Sequence, residues 1–440
     1  MPRPLTVVMM GAGSFFTGSI LRDVMLIPGS KGGEFRLVDV DETRLALADR
    51  WIEKMADELG VSDQWTVRST PNRREALPGA DAVVNSIEVS GLECVRFDND
   101  IPLEFGVSQC IGDTIGPGGL FKALRTVPVW LDILRDIEAL CPNAVVLNYT
   151  NPMNILCLAA ARTSRAKVVG LCHSVQGTSR MLAGFAGVPY EQMRWQCAGI
   201  NHLAWFTELR GPEGDLYPKL LEVAADPESE FARKEPVRID MMRAFGAFIT
   251  ESSGHLSEYV PYYRKRPDLL ANYTIERYGG EEGFYAANWP TWRSEQDARR
   301  AAQIDGAEPI GRERSLEYGA WILEAIEKDV PIVVHGNVPN QGCIDNLPAD
   351  GCVEVACLVD RNGVQSTRFG PLPRPMAGTC ASNMAMFDVA AEACIHRSKE
   401  AATHALLLDP LTAAVCSPRE IREMAGRLFE AEAEYLPGFA

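Results

Sequence analysis

The chain has little positive charge and few histidines for its length. Its 440 residues include 43 Lys and Arg against 59 Asp and Glu, which gives a formal net charge of −16, and six His. No segment is rich in Lys or Arg, so the sequence lacks the basic patch by which proteins bind nucleic acids and anionic membranes. We therefore expect no nucleic acid and no membrane among its partners.

Long apolar runs and an export signal are lacking too. No apolar stretch approaches the roughly 20 residues of a membrane-spanning helix. Residues 1–13 hold a short apolar run, but a glycine turn ends it and no small-residue cleavage site follows, which favours a buried strand over a signal peptide. The 12 cysteines are scattered through apolar segments from Cys94 to Cys416, which predicts free buried thiols in a cytoplasmic protein.

Strand and helix patterns alternate through the first half of the chain, which is typical of a parallel sheet wound with helices. We predict strands at residues 5–10, 35–40, 82–87, 144–148 and 167–171. Helices are predicted after Ser14, after Asp41 and over about 120–140. The predicted fold class is therefore α/β, with a Rossmann-like, doubly wound, NAD-binding domain over residues 1–192.

From about residue 193 the pattern becomes mixed, which predicts an α+β domain over residues 193–440 that carries the substrate, the metal and the oligomer contacts. Residues 198–209 alternate like one strand and residues 353–359 like another. Helices are predicted over residues 315–328, 388–406 and 418–433. Residues 264–292, rich in Tyr, Gly and Glu, form a loop-like insert of a kind that is typically functional or interfacial.

A glycine-rich segment, GAGSFFTG, directly follows the first predicted strand. Gly11 and Gly13 would let the backbone approach a pyrophosphate at the N-terminus of the next helix, beside Ser14. The third glycine of the usual fingerprint is missing, because Phe16 stands at its place and Gly18 comes two residues later. A glycine-rich turn without a cofactor therefore stays the alternative.

The second predicted strand carries Asp39 near its end. An acidic side chain there can accept hydrogen bonds from both hydroxyls of the adenosine ribose and would repel a 2′-phosphate. This residue favours NAD over NADP as the cofactor.

Cys172 in GLCHSVQG and His202 in GINHLAWF are candidate ligands of a divalent metal. They are 30 residues apart, so they form no local zinc motif, and plain packing of both side chains is the alternative. Cys172 follows a predicted parallel strand, at the edge where open sheets bind ligands. Asn151 and Asn154 follow the neighbouring strand, so we expect these polar groups to converge on one crevice.

Motifs spread over almost the whole chain carry a family resemblance. They are GAGS, LVDVDETRL, DTIGPGGLFKALRTVP, LNYTNPMN, GLCHSVQGT, CAGINHLAWF, TESSGHLSEYVPYY, HGNVPNQGCIDNLPADGCVEVACLVD and LDPLTAAV. With these motifs in this order, the chain resembles the NAD- and manganese-dependent glycosidases of glycoside hydrolase family four, in the branch of melibiase-type α-galactosidases, α-glucosidases and α-galacturonidases. The resemblance implies a Rossmann-like domain followed by a mixed α+β domain.

The resemblance also implies hydrolysis by a redox route. NAD takes the hydride from C3 of the sugar, the ketone acidifies the proton on C2, and a base removes that proton while Mn²⁺ or another divalent metal stabilises the enediolate. The aglycone leaves from C1, water adds and the hydride returns, so no net NADH forms. A small-molecule α-glycoside substrate and a homodimer or homotetramer are implied as well.

Several residues take roles from the resemblance. Cys172 and His202 match the metal ligands, and Tyr259 matches the base that removes the C2 proton. The pKa of a free tyrosine is near 10, so this role needs a cation that favours the phenolate. Tyr262 and Tyr263 are close in sequence, and the choice among the three tyrosines stays open.

The substrate is expected to meet Asn151, Asn154 and Asp113. Asp113, in GDTIGPGG, would bind sugar hydroxyls or assist proton transfer. Alternatively, Asp113 only caps the helix that follows. Members that act on 6-phosphosugars carry Asp after the metal cysteine and Glu-Thr before GPGG, whereas this chain has His173 and Asp113-Thr114. The difference implies a non-phosphorylated hexoside and leaves the general acid open among His173, Asp113 and a water.

We expect an enzyme that hydrolyses α-galactosides. An α-glucosidase, an α-gulosidase or an α-galacturonidase of the same family is the alternative, since NYTNPMNILCLA departs from the melibiase version near the sugar. An NAD-dependent polyol or 2-hydroxy acid dehydrogenase is the alternative from another class, although no His-Asp pair stands with an Arg placed for a 2-hydroxy carboxylate. A non-catalytic sugar or nucleotide sensor is the third interpretation.

Overall fold

One twisted sheet of 13 strands runs through the computed structural model, which describes residues 3–440. The strands are β1 (Leu5–Met10), β2 (Gly33–Val38), β3 (Trp65–Thr70), β4 (Ala82–Asn85), β5 (Val145–Asn148), β6 (Lys167–Gly170), β7 (Arg194–Ile200), β8 (Leu203–Gly211), β9 (Gly214–Asp215), β10 (Phe248–Ile249), β11 (Ile332–Pro339), β12 (Cys352–Asp360) and β13 (Gly363–Ser366). The order β3-β2-β1-β4-β5-β6 is parallel throughout and is that of a doubly wound nucleotide-binding sheet.

Helices cover both faces of this parallel part, and further helices surround the rest of the sheet. In the first half they are α1 (Phe16–Met25), α2 (Glu42–Leu59), α3 (Arg73–Ala76), α4 (Glu93–Glu104), α5 (Gly116–Leu140), α6 (Met153–Thr163) and α7 (Ser174–Ala186). In the second half they are α8 (Tyr217–Ala225), α9 (Glu230–Lys234), α10 (Pro236–Phe245), α11 (Ser253–Tyr259), α12 (Pro267–Tyr273), α13 (Phe284–Ile304), α14 (Tyr318–Lys328), α15 (Arg374–His396), α16 (Lys399–Leu408), α17 (Pro410–Val415) and α18 (Pro418–Ala431). Within residues 3–440, none of these helices has both the length and the apolar character to cross a bilayer.

The sheet continues from β6 into the second half of the chain through an antiparallel contact with β11. Asn337 pairs with Gly170 there, and the Asn337 side-chain amide donates a hydrogen bond of 3.3 Å to the Gly170 carbonyl oxygen. A Cβ on Gly170 would lie 2.5 Å from the Met153 sulfur and 2.9 Å from the Asn337 Cβ, so only glycine lets the strands approach this closely. From β11 the sheet runs antiparallel through β12, β7 and β8 to β10.

The expected α/β fold class is confirmed, and all five predicted parallel strands are present within two residues of their predicted ends. Sequence analysis missed β3, an edge strand in which Trp65 alone is fully buried and polar residues follow. The division into domains at residue 192 stays a prediction. All 12 cysteines are free, and all but Cys172 are buried, as expected.

The prediction of one strand over 198–209 was wrong. The structure forms the hairpin of β7 and β8, with Ile200 opposite Leu203 and a two-residue turn at Asn201 and His202. Ile200 and Leu203 are both fully buried, and the turn between them consists of only two residues without glycine or proline, so the sequence gave little sign of a break. The turn residue His202 takes a left-handed backbone conformation with φ of 62°.

The prediction of a loop-like insert over 264–292 was also wrong in part. The structure forms α12 there and begins α13 at Phe284. Gly279, Gly280 and Gly283, with Pro290 inside the helix, made this stretch look irregular. α13 lies over the loop after β1, where Arg300 donates a hydrogen bond of 2.9 Å to the Gly13 carbonyl oxygen.

A buried ionic cluster connects the end of the chain to the core. Arg125 on α5 donates to both carboxylate oxygens of Asp98 on α4, at 3.0 and 2.7 Å, and to Glu432 directly after α18. The side chains of Arg125 and Glu432 are at most 1% exposed. Removal of one member of a buried ion pair leaves an uncompensated charge, which costs about 3–5 kcal/mol.

We predict that Arg125→Met lowers the free energy of unfolding by about 3 kcal/mol, because Asp98 and Glu432 would face each other without a cation. The matched control is Arg135→Met on the same helix, whose exposed guanidinium pairs only with Asp132 and should leave the midpoint unchanged. Urea unfolding followed by circular dichroism measures both. Equal midpoints for the two variants would contradict the buried role of Arg125.

Candidate active site

A cleft of about 540 Å³ opens at the carboxyl ends of the parallel strands. Loops after β1, β2, β4 and β5 form one wall, and Tyr285 and Trp289 of α13 form the other. The cleft reaches from Asp39 at one end to Asp113 and Asn151 at the other. Open α/β sheets bind their ligands at this edge.

The loop after β1 depends on its glycines. Gly11 has φ of 78°, and a Cβ at this residue would lie 2.4 Å from the Ser86 carbonyl oxygen. A Cβ on Gly18 would lie 1.9 Å from the ring of Trp51 on α2, so Gly18 allows α1 to pack closely on its neighbour. In the usual fingerprint the third glycine allows close packing of the helix, and Gly18 has this role here, two residues later in the sequence. Phe16 at the usual position simply begins α1.

Asp39 directly follows β2 and lies at the edge of the cleft. One of its carboxylate oxygens accepts the Gly13 N–H at 2.7 Å, and the other accepts the Asp41 N–H at 3.0 Å. Arg44 donates to the Gly13 carbonyl oxygen and pairs with Asp297 of α13 at 3.2 Å. These contacts fix the Asp39 carboxylate, whose remaining lone pairs can accept hydroxyl groups from a ligand.

At the other end of the cleft a buried cation holds Asp113. Lys122 Nζ lies 3.0 Å from a carboxylate oxygen of Glu88 and 3.4 Å from Asp113 Oδ2, which also accepts the Asn151 amide at 3.5 Å. Burial alone would raise the pKa of Asp113, but Lys122 and two nearby histidines hold it below its ordinary value. Asp113 Oδ1 is buried without a hydrogen-bond partner, and His255 Nε2 lies 3.9 Å from it. Asp113 is therefore an ionised acceptor with one oxygen free for a ligand.

Three electron-pair donors meet beside this carboxylate. His202 Nε2 lies 3.4 Å from Cys172 Sγ and 3.5 Å from Glu251 Oε2, and all three donor atoms lie within 4.8 Å of one another. His202 is buried, and Cys172 and Glu251 are half-buried. Thiolate, imidazole and carboxylate are a donor set that suits a borderline divalent cation. Burial raises the pKa of Cys172 to about 11, so its thiolate needs such a cation nearby.

Two of these three donor residues lie in turns with a left-handed backbone conformation. Cys172 comes two residues after β6, and His202 occupies the turn between β7 and β8. Glu251 follows β10 with φ of 72°, so two of the seven non-glycine residues with positive φ in the described chain belong to this trio. A residue held in that conformation costs about 1–3 kcal/mol, and such residues cluster at functional sites.

Helix α11 carries His255 and Tyr259 one turn apart, and both side chains lie beside His202. The Tyr259 hydroxyl lies 3.5 Å from His202 Nδ1, and His255 Nε2 lies 2.7 Å from the Thr114 hydroxyl. Tyr259 is 1% exposed, and this burial raises its pKa well above the ordinary value.

The other two candidate tyrosines lie away from these donors. Tyr262 is 40% exposed, and the Tyr263 hydroxyl donates to Asp240 at 2.8 Å. Tyr259 is therefore the tyrosine of the three that the fold brings to His202.

Two predicted residues lie apart from the inner group. His173 is exposed beside Cys172, and its pairing with Glu317 at 3.5 Å raises its pKa to about 10. Asn154 is buried in α6 and lines a separate cavity of about 170 Å³ with Asp350 and Asp388. The structure thus brings Asn151, but not Asn154, to the cleft.

Sequence reasoning missed Glu251, His255 and Lys122. The first two lie four residues apart within TESSGHLSEYVPYY, in which only the three tyrosines were singled out. A carboxylate and an imidazole at this spacing were the available signal. Lys122 gave none, because its immediate neighbours in α5 are apolar and its nearer partner, Glu88, comes from a different loop.

The chain matches two models of one protein family over most of its length. Residues 6–188 match the family 4 glycosyl hydrolase model, and residues 197–412 match the family 4 glycosyl hydrolase C-terminal domain. Together the two models leave only the chain ends and a short central stretch unmatched.

Relatives and a solved structure agree with these matches. An α-galactosidase of Bacillus subtilis (strain 168) is 37% identical over 98% of this chain and 99% of its own, and an α-galactosidase of Rhizobium meliloti (strain 1021) is 35% identical over 99% and 89%. A 6-phospho-α-glucosidase from gut microorganisms, solved in complex with NAD and Mn²⁺, has the same fold, with a TM-score of 0.83 at 21% identity over 100% of both chains. The chain belongs to the family 4 glycosyl hydrolases.

Proposed function

We propose that this protein hydrolyses non-phosphorylated α-galactosides by the redox route, with NAD and a divalent metal as cofactors. The observation that carries the proposal is the meeting of a nucleotide-type cleft and the Cys172–His202 donor pair at one edge of the sheet. Relatives that are named α-galactosidases, at 37% and 35% identity, support the choice of galactose. An α-glucosidase, α-gulosidase or α-galacturonidase stays the alternative within the family.

The cleft fits NAD by the chemistry of its walls. Gly11 and Gly13 leave the loop after β1 without side chains, so a pyrophosphate can approach the backbone beside Ser14. Asp39 would accept the hydroxyls of the adenosine ribose and repel a 2′-phosphate. We propose that residues 1–192 supply this cofactor site and that residues 193–440 complete the sugar and metal sites.

Cys172 and His202 fit a divalent cation such as Mn²⁺, since a buried thiol and a ring nitrogen face each other at 3.4 Å beside a carboxylate. When bound, NAD accepts and later returns a hydride at C3 of the sugar, while the cation polarises the oxygens on C2 and C3. The protein would therefore have to hold the sugar, remove the C2 proton and protonate the departing oxygen.

We assign these three tasks to residues around His202. Asn151 and Asp113 would hold sugar hydroxyls, because Asp113 Oδ1 is buried and unpartnered. Tyr259 would remove the C2 proton, since its hydroxyl lies 3.5 Å from His202 Nδ1, and a cation would offset the raised pKa.

The proton for the departing oxygen would come from His173. Asp113 is a poor general acid because Lys122 keeps it ionised, whereas His173 is exposed beside Cys172; a water stays the alternative. We further propose that the protein is cytoplasmic and forms a homodimer or homotetramer; the free thiols support the first of these proposals.

A panel of 4-nitrophenyl α-glycosides tests the function. We expect nitrophenol release fastest from the α-galactoside, loss of release when NAD is omitted or EDTA is added, and deuterium at C2 of the product in D₂O without accumulation of NADH. Stoichiometric NADH without nitrophenol would indicate a dehydrogenase instead. Nitrophenol release without NAD, or without C2 exchange, would indicate ordinary displacement.

We predict that Gly11→Ala weakens NAD binding at least about tenfold, because the new Cβ would lie 2.4 Å from the Ser86 carbonyl oxygen. Gly29→Ala is the matched control, since Gly29 also has positive φ but has no atom within 4 Å of a Cβ. Titration of protein fluorescence with NAD measures both variants. Comparable affinities would show that the loop after β1 does not hold the cofactor.

We predict that Tyr259→Phe lowers kcat at least about 100-fold and abolishes deuterium exchange at C2, since the variant lacks the hydroxyl that takes the proton. Tyr262→Phe, at an exposed position on the same segment, should keep both. Nitrophenol release and product mass spectrometry provide the two readouts. Exchange that persists in Tyr259→Phe would assign the base to another residue.

A further inference from the structure

The Glu251 carboxylate lies between two histidines, with one oxygen near each ring. Its Oε1 lies 3.4 Å from His255 Nδ1, and its Oε2 lies 3.5 Å from His202 Nε2. His255 is held in turn by the Thr114 hydroxyl at 2.7 Å. The carboxylate is thus oriented with one oxygen toward each histidine, and a carboxylate oxygen of Glu251 lies within 4.8 Å of Cys172 Sγ.

The distance from His202 Nε2 to Glu251 Oε2 is long for a hydrogen bond to a carboxylate. A ring nitrogen can donate only one proton, yet this nitrogen faces a sulfur at 3.4 Å and a carboxylate oxygen at 3.5 Å. A charged N–H···O contact normally measures about 2.7–2.9 Å. By contrast, donors that share a cation at about 2.0–2.3 Å each lie roughly 3–3.6 Å apart. The two distances from His202 Nε2 therefore fit neighbouring ligands of one ion, and Cys172 and Glu251 lie within 4.8 Å of each other on the same side of the ring.

We propose that Glu251 is a third protein ligand of the divalent cation, through Oε2, in addition to Cys172 and His202. This inference rests on the metal requirement of the proposed function. A thiolate and a carboxylate together neutralise a doubly charged ion, which a thiolate and a neutral imidazole alone would not. The cation then stays in the protein before any sugar arrives, so the free protein binds Mn²⁺ by itself.

Binding of Mn²⁺ to the metal-free full-length protein, without NAD or glycoside, tests the proposal. Electron paramagnetic resonance of the free ion gives the isotherm. We expect Glu251→Gln to weaken Mn²⁺ binding at least about tenfold. Glu317→Gln is the matched control, because it removes the same charge beside His173 and should change the affinity less than about twofold. An unchanged isotherm in Glu251→Gln would overturn the proposal.

Two further measurements separate ligation from misfolding. The affinity of Glu251→Gln for NAD should equal that of the original protein, since Glu251 lies outside the residues that line the cofactor cleft. With Co²⁺ as the probe, the thiolate charge-transfer band should persist while the ligand-field bands change, because Cys172 remains and one oxygen donor is lost. A Co²⁺ spectrum identical to that of the original protein would also overturn the proposal.

If Glu251→Gln loses NAD binding, the Glu251→Asp variant is used to test ligation instead. It keeps the negative charge, but its shorter side chain moves the carboxylate oxygen away from the cation. Weaker Mn²⁺ binding in Glu251→Asp supports ligation, and an unchanged isotherm contradicts it. The proposed glycosidase activity plays no part in these measurements. An inactive protein that still requires Glu251 for Mn²⁺ would therefore overturn the proposed function and leave the metal site intact.

Discussion

The close contact of β6 with β11 is the constraint on which the site depends. Cys172 follows β6, whereas His202 and Glu251 follow strands that lie beyond β11 and β12 in the same sheet. Gly170 and the Asn337 amide make this contact, and Asn337 also donates to the buried Glu354 of β12 at 3.3 Å. The donors therefore come from both halves of the chain and meet only when the sheet is continuous.

Burial and charge oppose each other around those donors. Burial raises the pKa values of Cys172 and Tyr259, so neither group loses its proton readily by itself. The same burial makes a nearby charge more effective, because the surrounding dielectric is low. The charge of Lys122, for example, lowers the pKa of Asp113 in this way. A protein built in this way keeps its thiol and phenol protonated until a cation binds beside His202, so the charge state of both groups depends on metal loading.

The fold class could be predicted from the sequence because parallel strands are short, buried and followed by helices. Gly11, Asp39, Cys172 and Asn151 were predictable as cleft or donor residues because each directly follows such a strand. Glu251 and the hairpin turn at His202 could not be found this way, since both involve residues in the left-handed backbone conformation, which no apolar pattern marks.

A continuous sheet also decides how ligands enter. Many two-domain enzymes close on their substrates by a hinge between the domains, but strands that are paired across the junction of β6 and β11 cannot rotate apart without the loss of backbone hydrogen bonds. The wall of the cleft opposite the strand loops is then formed by α13, which contributes Tyr285 and Trp289. Because Arg300 and Asp297 bind α13 to the loop after β1 and to Arg44, both walls of the cleft are fixed to the same continuous sheet.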